Sequence, residues 1–333
     1  MKYPNSFTTA LAAAVTLLGC ASTPTVVPSE QTVAAHVAHA NALAGNDAKA
    51  LLRLCNPPAA RQESAEATDR FIAGQIARVP PAPAAAFDNL VFIGGAWASA
   101  WALKTSQGII LIDALNNTVE AAALIEGGLR KLGLDPAQIR YVVITHGHGD
   151  HYGGAKYLAD KYKARVVMSE ADWTMLANRL EFASRYWDAP PQRDIAVEPG
   201  GALTLGDTTI VLQATAGHTW GTMSPVFAVR TGGKTHRAIL WGGTSFNFGN
   251  DLPRVDAYID SARRMGALAK AENIDVMLSN HPSFDGTVER FAAMQAAPTN
   301  ANPFVIGQDA VVRSLGVMEA CARAQRDRFA MAP

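Results

Sequence analysis

The chain has 333 residues, of which 49% are apolar and 17% charged, and its 29 lysines and arginines are balanced by 29 aspartates and glutamates. This length suits one to three domains, and the composition indicates a compact globular protein rather than a disordered or coiled-coil one. The zero net charge and the lack of a basic run argue against nucleic acid as a partner and against a membrane surface bound by charge.

The first residues have the pattern of a secretory leader. Lys2 precedes an apolar run at residues 11–18, which is too short to span a bilayer but typical of a signal peptide. The run ends in Leu17-Leu18-Gly19-Cys20-Ala21, which resembles the bacterial lipobox, whose cysteine is lipidated and becomes the mature N-terminus. We therefore predict that residues 1–19 are removed and that Cys20 carries a lipid anchor. The alternative is a plain signal peptide cut nearby, with Cys20 incidental.

The residues after the lipobox cysteine bear on the location of the protein. Ala21 and Ser22 stand where some lipoproteins have an acidic residue, and by the same resemblance they imply the outer membrane. No later stretch of the sequence is long and apolar enough to cross a membrane. We therefore expect a periplasmic protein whose only membrane attachment is the lipid.

Residues 20–85 are interpreted as an N-terminal helical extension with a linker. Residues 32–54 carry alanine, leucine and valine at helical spacing, and Pro57-Pro58 would end that helix. The proline-rich run at residues 80–83 indicates a stiff linker. Beyond it, short apolar runs alternate with glycine and Asp/Asn turns, so the main domain is placed at residues 86–333.

The main domain alternates between strands and helices in two comparable halves. Strands are predicted at residues 90–93, 98–105, 108–113, 140–145, 165–168, 208–214, 225–229, 237–241 and 275–278, and helices at 118–132, 154–163, 171–178, 255–271 and 309–329. Two sheets packed face to face, with helices on their outer faces, would form a four-layer αββα sandwich. In this α/β fold the ligand-bearing loops gather at one edge.

Export would also determine the state of the two remaining cysteines. Cys55 and Cys321 would lie in an oxidising compartment, where such a pair tends to become a disulfide. We predict this bridge, which would join the N-terminal extension to the last helix. The alternative is two unpaired buried thiols.

The strongest chemical signal is the run His146-Gly147-His148-Gly149-Asp150-His151, which directly follows a predicted strand. Extended backbone places residues i and i+2 on the same side, so His146 and His148 can offer imidazoles to one metal ion. The glycines permit a tight turn, past which Asp150 and His151 can face a second metal ion. Zinc favours such nitrogen and oxygen ligands, and three of them leave one position open for water.

This H-x-H-x-D-H pattern after a strand resembles the signature of the metallo-β-lactamase superfamily, over roughly residue 87 to the C-terminus. The resemblance requires two further histidines, and the sequence has them in Ala-Gly-His-Thr at His218 and in Ser-Asn-His-Pro at His281. It implies two Zn²⁺ ions per chain. The implied ligands are His146, His148 and His218 for the first ion, and Asp150, His151 and His281 for the second.

Within the superfamily, the ligand set resembles that of the subclass B3 β-lactamases. Many non-lactamase members have a metal-bridging aspartate at the end of the strand that precedes residue 245, and this sequence has none there. It also lacks the cysteine of the first β-lactamase subclass, and His146 is intact, unlike in the second. The resemblance therefore implies that a zinc-bound hydroxide, oriented by Asp150, opens a β-lactam ring.

Substrate contacts and alternative functions are less constrained by the sequence. By the resemblance, Thr244 or Ser245 would occupy the vacant ligand position and hydrogen-bond a substrate carboxylate. Trp220, where the subclass usually has proline, would narrow or redirect the pocket. Trp97, Trp101 and Trp187 are interpreted as core residues, and the alternative is that they line the wall of a cleft. The first alternative is a lactone or ester hydrolase of the same fold that acts on a non-antibiotic small molecule. The second is a non-catalytic zinc-binding envelope lipoprotein.

Overall fold

The structure is a computed structural model, which describes residues 27–57, 64–298 and 301–332. The predicted signal peptide at residues 1–19 and the predicted lipid anchor at Cys20 lie outside the described residues. In the described part of the chain, no helix combines the length and the apolar character that crossing a membrane would require.

The described strands form two sheets. The first sheet contains β1 (Ala84–Phe87), β2 (Leu90–Phe92), β3 (Trp101–Thr105), β4 (Gly108–Ile112), β5 (Ile139–Val143), β6 (Arg165–Ser169) and β7 (Ile195–Val197), in that spatial order. The second sheet contains β8 (Gly201–Leu205), β9 (Thr208–Ala214), β10 (Met223–Thr231), β11 (Lys234–Trp241) and β12 (Val276–Ser279), also in order. The strands β4, β5, β6 and β7 are parallel to one another, and β11 is parallel to β12. All other neighbouring strands are antiparallel.

Helices precede, connect and follow these strands. The α-helices of the described residues are α1 (Glu30–Leu43), α2 (Ala65–Ile76), α3 (Thr118–Glu120), α4 (Gly127–Lys131), α5 (Gly149–Tyr152), α6 (Ala155–Tyr162), α7 (Glu170–Asn178), α8 (Leu252–Ala271), α9 (Pro282–Asp285), α10 (Thr287–Ala296) and α11 (Gln308–Met331). A π-helical segment, Ala121–Glu126, joins α3 to α4, and 3-10 segments lie at Lys49–Cys55 and Pro136–Gln138.

The two sheets pack face to face over an apolar cluster. Phe92 and Trp101 from the first sheet and Phe227 and Leu240 from the second belong to this cluster, and each is at most 1% exposed. The rings of Phe92 and Trp101 meet edge to face, with their centroids 5.2 Å apart. Burial of these side chains is the main term that favours the sandwich.

Helices cover the outer face of each sheet. Ile125 and Leu158 pack with Val142 of β5 on the outer side of the first sheet. Leu315 of α11 packs with Ile239 of β11 on the outer side of the second sheet. The order helix, sheet, sheet, helix confirms the predicted four-layer αββα sandwich.

The N-terminal segment belongs to one of these helical layers. Ala40 of α1, Leu51 and Cys55 are buried in the same apolar cluster as α11. The sulfur atoms of Cys55 and Cys321 lie 2.06 Å apart, which is the distance of a disulfide bond. The pairing predicted from the sequence is therefore present in the structure.

Several local predictions differ from the structure. The single helix predicted at residues 32–54 is wrong, because α1 ends at Leu43 and Gly45 follows with a φ of +51°. That left-handed backbone ends the helix, as glycine commonly does. Strands β1, β7 and β8 were not predicted: β1 and β7 have only four and three residues, and in β8 only Leu205 is buried.

Candidate metal centre

The ligand-rich run begins where β5 ends, beside the end of β4. The Asp113 carboxylate, directly after β4, accepts hydrogen bonds from the backbone N–H of Thr145 at 2.7 Å and from its hydroxyl at 2.9 Å. These bonds cross between neighbouring parallel strands and fix the backbone immediately before His146.

The turn that follows requires glycine at a point of close packing. A Cβ on Gly149 would lie 2.1 Å from Cδ2 of Trp187, so a larger residue would displace that ring. Helix α5 starts at Gly149 and carries Asp150 and His151, both of which are at most 5% exposed. The tight turn thereby places two polar side chains in the interior, beside His148.

Three imidazoles converge in the first ligand group. Nε2 of His218 lies 3.1 Å from Nε2 of His146 and 3.1 Å from Nδ1 of His148. Each of the three residues is at most 4% exposed. In a tetrahedral zinc site with bonds of 2.0–2.1 Å, the ligand nitrogens lie roughly 3.3 Å apart. The observed spacing therefore fits one tetrahedral metal ion.

Backbone carbonyls orient two of these imidazoles. Nδ1–H of His146 donates to the carbonyl of Gly242 at 2.6 Å, and Nδ1–H of His218 donates to that of Ser245 at 2.7 Å. A ring nitrogen that donates in this way leaves the lone pair of the other nitrogen available to a metal ion. Both acceptors lie just after β11, so the second sheet positions ligands that follow strands of both sheets.

A carboxylate orients the third imidazole. Nε2–H of His148 donates to Glu181 at 3.1 Å, and Arg254 binds both oxygens of the same carboxylate. Arg254, which is 6% exposed, also donates to the backbone carbonyls of Gly217 and His218. Burial opposes ionisation of Glu181, but His148 and Arg254 outweigh it and lower its pKa to about 2. One ionised pair thus links the His148 imidazole to the backbone of His218.

The second ligand group surrounds Asp150. Its Oδ2 lies 3.2 Å from Nε2 of His151 and 3.6 Å from Nε2 of His281. Nδ1–H of His151 donates to Asp113 at 2.8 Å, and Nδ1–H of His281 donates to the carbonyl of Trp97 at 2.6 Å. The structure therefore brings together all six residues predicted as ligands, although the second compact group of ligand atoms contains His146 with Asp150 and His151, and His281 lies beside it. Metal binding by them stays a prediction.

The donor atoms of both groups fit divalent metal ions. Nε2 of His151 is buried and makes no well-aligned hydrogen bond among the described residues, and its charged neighbour is the Asp150 carboxylate at 3.2 Å. A metal ion bound between the two groups would satisfy both. Two compact groups of potential metal ligands contain His146. Five imidazoles and one carboxylate are the ligand types that zinc prefers.

The protonation states of these side chains also favour the binding of a metal cation. Burial and the neighbouring imidazoles lower the pKa of His146 well below its usual range and that of His281 to about 4. For His151, burial is opposed by Asp150 and Asp113, which raise its pKa to about 10. Without metal, most of the imidazoles are neutral, whereas His151 holds a proton that a metal ion must displace.

The two ligand groups lie in the wall of a cavity of about 510 Å³. His148, Asp150, His218 and His281 reach its surface. The aromatic lining residues are Phe71, Trp97, Phe182, Trp187, Phe246 and Phe284. A cavity of this size with apolar walls and a few convergent polar groups suits a small organic molecule.

Of the three residues predicted to contact the substrate, one lines the main cavity and two do not. Ser245 lines the cavity, as expected. Thr244 is 1% exposed and lines a separate small cavity beside Trp241. Trp220 is 55% exposed and is not among the described residues that line the main cavity. Their positions therefore do not support substrate contacts by Thr244 or Trp220.

Some residues of the site were not identified from the sequence. Trp97 and Trp187, interpreted as core residues, both line the cavity, and so do Phe71 and Arg53 of the N-terminal extension. No local motif marks those four positions. Asp113 did have a signal, because it is an acidic residue directly after a buried strand adjacent to the one that carries the ligands.

Comparisons with known proteins agree with this architecture. Residues 98–232 match the family model of the metallo-β-lactamase superfamily. A curated relative named hydroxyacylglutathione hydrolase, from Acidiphilium cryptum, is 32% identical over 182 residues, which are 55% of this chain and 63% of the relative. Relatives of the same name from Rhodopseudomonas palustris and Ruegeria pomeroyi match over 42% and 32% of their lengths. The chain thus spans less than two thirds of these relatives.

Solved structures resemble a larger part of the chain. BJP-1, a subclass B3 metallo-β-lactamase of Bradyrhizobium japonicum, has a TM-score of 0.62 and 28% identity, covering 73% of this chain and 92% of that one. A metallo-β-lactamase of Cronobacter sakazakii has a TM-score of 0.67 and 24% identity, covering 83% of this chain and 98% of that one. The second likeness shows the fold alone.

Proposed function

The chain carries a metallo-β-lactamase superfamily domain, and on that premise we propose that it is a metal-dependent hydrolase that opens β-lactam rings, in the manner of subclass B3 enzymes. One observation carries the proposal: two adjacent groups of converging ligand atoms lie at the wall of an aromatic cavity. We further propose that the chain binds two Zn²⁺ ions and that it lies in the periplasm, with a lipid anchor at Cys20.

The ligand residues specify what the chain itself contributes to hydrolysis. Two divalent ions held there would lower the pKa of a water to about 7 and polarise the substrate carbonyl. Burial opposes ionisation of Asp150, but the charge of His151 outweighs it and lowers the pKa of the carboxyl. The ionised carboxylate is therefore an acceptor that can orient the attacking water by a hydrogen bond.

The cavity wall would hold the body of the substrate. The ring centroids of Phe71 and Trp97 are 5.7 Å apart in an edge-to-face contact, and the Trp97 ring lies 5.6 Å from that of His281. This aromatic surface joins the N-terminal helix α2 to the second ligand group. It can pack against a ring-shaped substrate and exclude water from the reacting bond.

A second candidate function is thioester or ester hydrolysis, which the relatives named hydroxyacylglutathione hydrolase favour. The end of β11 argues for the first candidate. By the resemblance, many non-lactamase members have a bridging aspartate there, but this chain has Thr244 or Ser245 at that position and no acidic residue between Ala238 and Ser245.

The test is steady-state hydrolysis by the zinc-loaded protein of a chromogenic cephalosporin, a carbapenem and a hydroxyacylglutathione thioester. We expect the lactams to be turned over with the higher kcat/KM, and a chelator to abolish the activity. The double variant His148→Ala, Asp150→Ala should be inactive, whereas His39→Ala, which changes an exposed histidine of α1, should match the wild type. Preference for the thioester would favour the second candidate, and no turnover of any of the three would refute both.

A further inference from the structure

The cavity wall carries positive charge from the N-terminal segment. Among the described residues that line the cavity, the lysine and arginine side chains are Arg53 and Arg78, and the only carboxylate is Asp150. Bound divalent ions would add to this excess of positive charge. The electrostatic potential of the cavity therefore favours an anionic ligand.

Arg53 is held in place against the segment that follows a predicted metal ligand. Its guanidinium carbon lies 3.6 Å from the centroid of the Phe284 ring, and its Nη2 donates to the Ser283 hydroxyl at 2.7 Å. Ser283 and Phe284 belong to α9, which begins directly after His281. The Phe284 ring in turn lies 6.3 Å from the His281 ring. Arg53 is therefore oriented beside the second ligand group.

Arg78 lacks comparable support. Its Nη1 donates to Gln75 at 3.3 Å, a residue only three positions earlier in the chain. Stacking and a hydrogen bond to another element hold Arg53, so this side chain loses less conformational freedom when it binds a ligand. Arg53 is thus the better-organised cation of the cavity wall.

The backbone that carries Arg53 is also anchored. Leu51 and Leu54 are buried in the apolar cluster of the outer helical layer. Cys55, two residues after Arg53, is joined to Cys321 of α11. Arg53 therefore lies on a short 3-10 segment that is fixed on both sides.

We infer that Arg53 binds an anionic group of the substrate, such as a carboxylate, while the bond to be hydrolysed lies at the two ligand groups. A guanidinium forms charge-assisted hydrogen bonds with a carboxylate, and these are stronger than bonds between neutral groups. The aromatic wall binds the apolar body of the same molecule. The substrate class is therefore an anionic, ring-bearing amide or ester. This inference rests on the proposed hydrolase function and assigns to Arg53 the carboxylate that the resemblance placed at Thr244 or Ser245.

The experiment measures binding and not turnover. The cobalt-loaded protein is titrated with 2-sulfanyl-3-phenylpropanoic acid and with 2-phenylethanethiol, which lacks only the carboxyl group. The thiolate-to-cobalt absorption band gives a Kd for each thiol. The variants are Arg53→Gln, Arg53→Lys and the control Arg263→Gln, which changes an exposed arginine of α8 paired with Asp260.

We expect the wild type to bind the acid more tightly than the neutral thiol. Arg53→Gln should raise the Kd of the acid by about tenfold or more, the loss expected for a charge-assisted hydrogen bond. The Kd of the neutral thiol should change by less than about twofold. Arg53→Lys should keep part of the preference, since it keeps the charge, and Arg263→Gln should keep all of it. Unchanged binding of the neutral thiol also shows that the variant site is intact.

Three results would overturn the inference. The first is that the wild type binds the acid no more tightly than the neutral thiol. The second is that Arg53→Gln prefers the acid as strongly as the wild type does. The third is that Arg53→Gln and Arg53→Lys each weaken the binding of both thiols by the same factor. The outcome does not depend on the reaction catalysed. Absence of hydrolysis would refute the proposed function and leave the thiol comparison to decide the role of Arg53.

Discussion

Asp113 accepts a hydrogen bond from Nδ1–H of His151 at 2.8 Å, so a carboxylate at the end of one strand orients a predicted metal ligand beyond the end of the next. The same carboxylate binds the backbone N–H and hydroxyl of Thr145. Its backbone has a φ of 62°, a left-handed conformation that asparagine also adopts readily. Asparagine at this position would therefore keep the backbone and an acceptor oxygen but remove the charge.

We expect Asp113→Asn to lower the affinity for the second metal ion by about 10- to 100-fold, the usual effect of losing a partner that orients a ligand. The first ion should lose less affinity, because Asp113 contacts none of its ligands directly and reaches His146 only through the adjacent Thr145. Competition with a chromophoric zinc chelator measures both affinities. Equal weakening of both ions would contradict the assignment of Asp113 to His151.

Glu181 should serve the first metal ion in the same way. Glu181→Gln keeps an acceptor oxygen for His148 but removes the charge that Arg254 binds, so we expect about tenfold weaker binding at the first site. Glu181→Ala should also lower the free energy of unfolding by about 3 kcal/mol, because it deprives the buried Arg254 of its carboxylate. Cobalt absorption spectra and urea unfolding measure the two effects. An unchanged cobalt spectrum and affinity in Glu181→Gln would show that Glu181 does not orient His148.

The two sites should differ in their response to pH. The pKa of His151 is raised to about 10 in the metal-free protein, so a metal ion at the second site must displace its proton at neutral pH. The apparent affinity of that site should therefore fall by up to about tenfold for each unit that the pH is lowered. His146 and His218 have lowered pKa values, so neither holds a proton that a metal ion at the first site must displace, and first-site affinity should fall less steeply between pH 8 and 6. Zinc titrations of the wild type and of His281→Ala across this range measure both slopes, and parallel slopes would contradict the prediction.

The disulfide should contribute substantially to stability. Cys55 and Cys321 are separated by 266 positions, and the bridge joins the N-terminal segment to α11. We expect the double variant Cys55→Ser, Cys321→Ser to lose about 2–5 kcal/mol of unfolding free energy, measured by urea denaturation without reductant. The reduced wild type is the control and should lose a similar amount. Two thiols that react readily in the unreduced, denatured wild type would show that the bridge does not form.

The predicted ligands and their orienting partners differ in how far the sequence reveals them. The ligands lie in short motifs that follow strands. A strand can be predicted from the local pattern of apolar residues, so the ligands can be found from the sequence. Asp113 and Glu181 contact His151 and His148 across 38 and 33 positions, through packing that no local pattern encodes. Only the relative placement of strands and loops brings these pairs together.

The cavity wall was still less predictable. Ser245 lines the cavity and the adjacent Thr244 does not, and both lie in the loop after β11, where no strand periodicity predicts the direction of a side chain. Phe71 and Arg53 come from a segment without a recognised motif. The segment that carries Arg53 packs in the apolar cluster around α11, whereas Phe71 of α2 packs against Trp97. Tertiary contacts, and not local sequence, therefore define the substrate side of the site.

The most direct test of the dinuclear centre is the zinc content of the purified protein after equilibration with zinc and desalting, measured by plasma mass spectrometry. We predict two zinc ions per chain in the wild type and in His39→Ala. His218→Ala and His281→Ala, which remove one ligand from the first and the second group respectively, should each retain about one. A wild-type protein with one ion or none, or two ions retained in both ligand variants, would contradict the account.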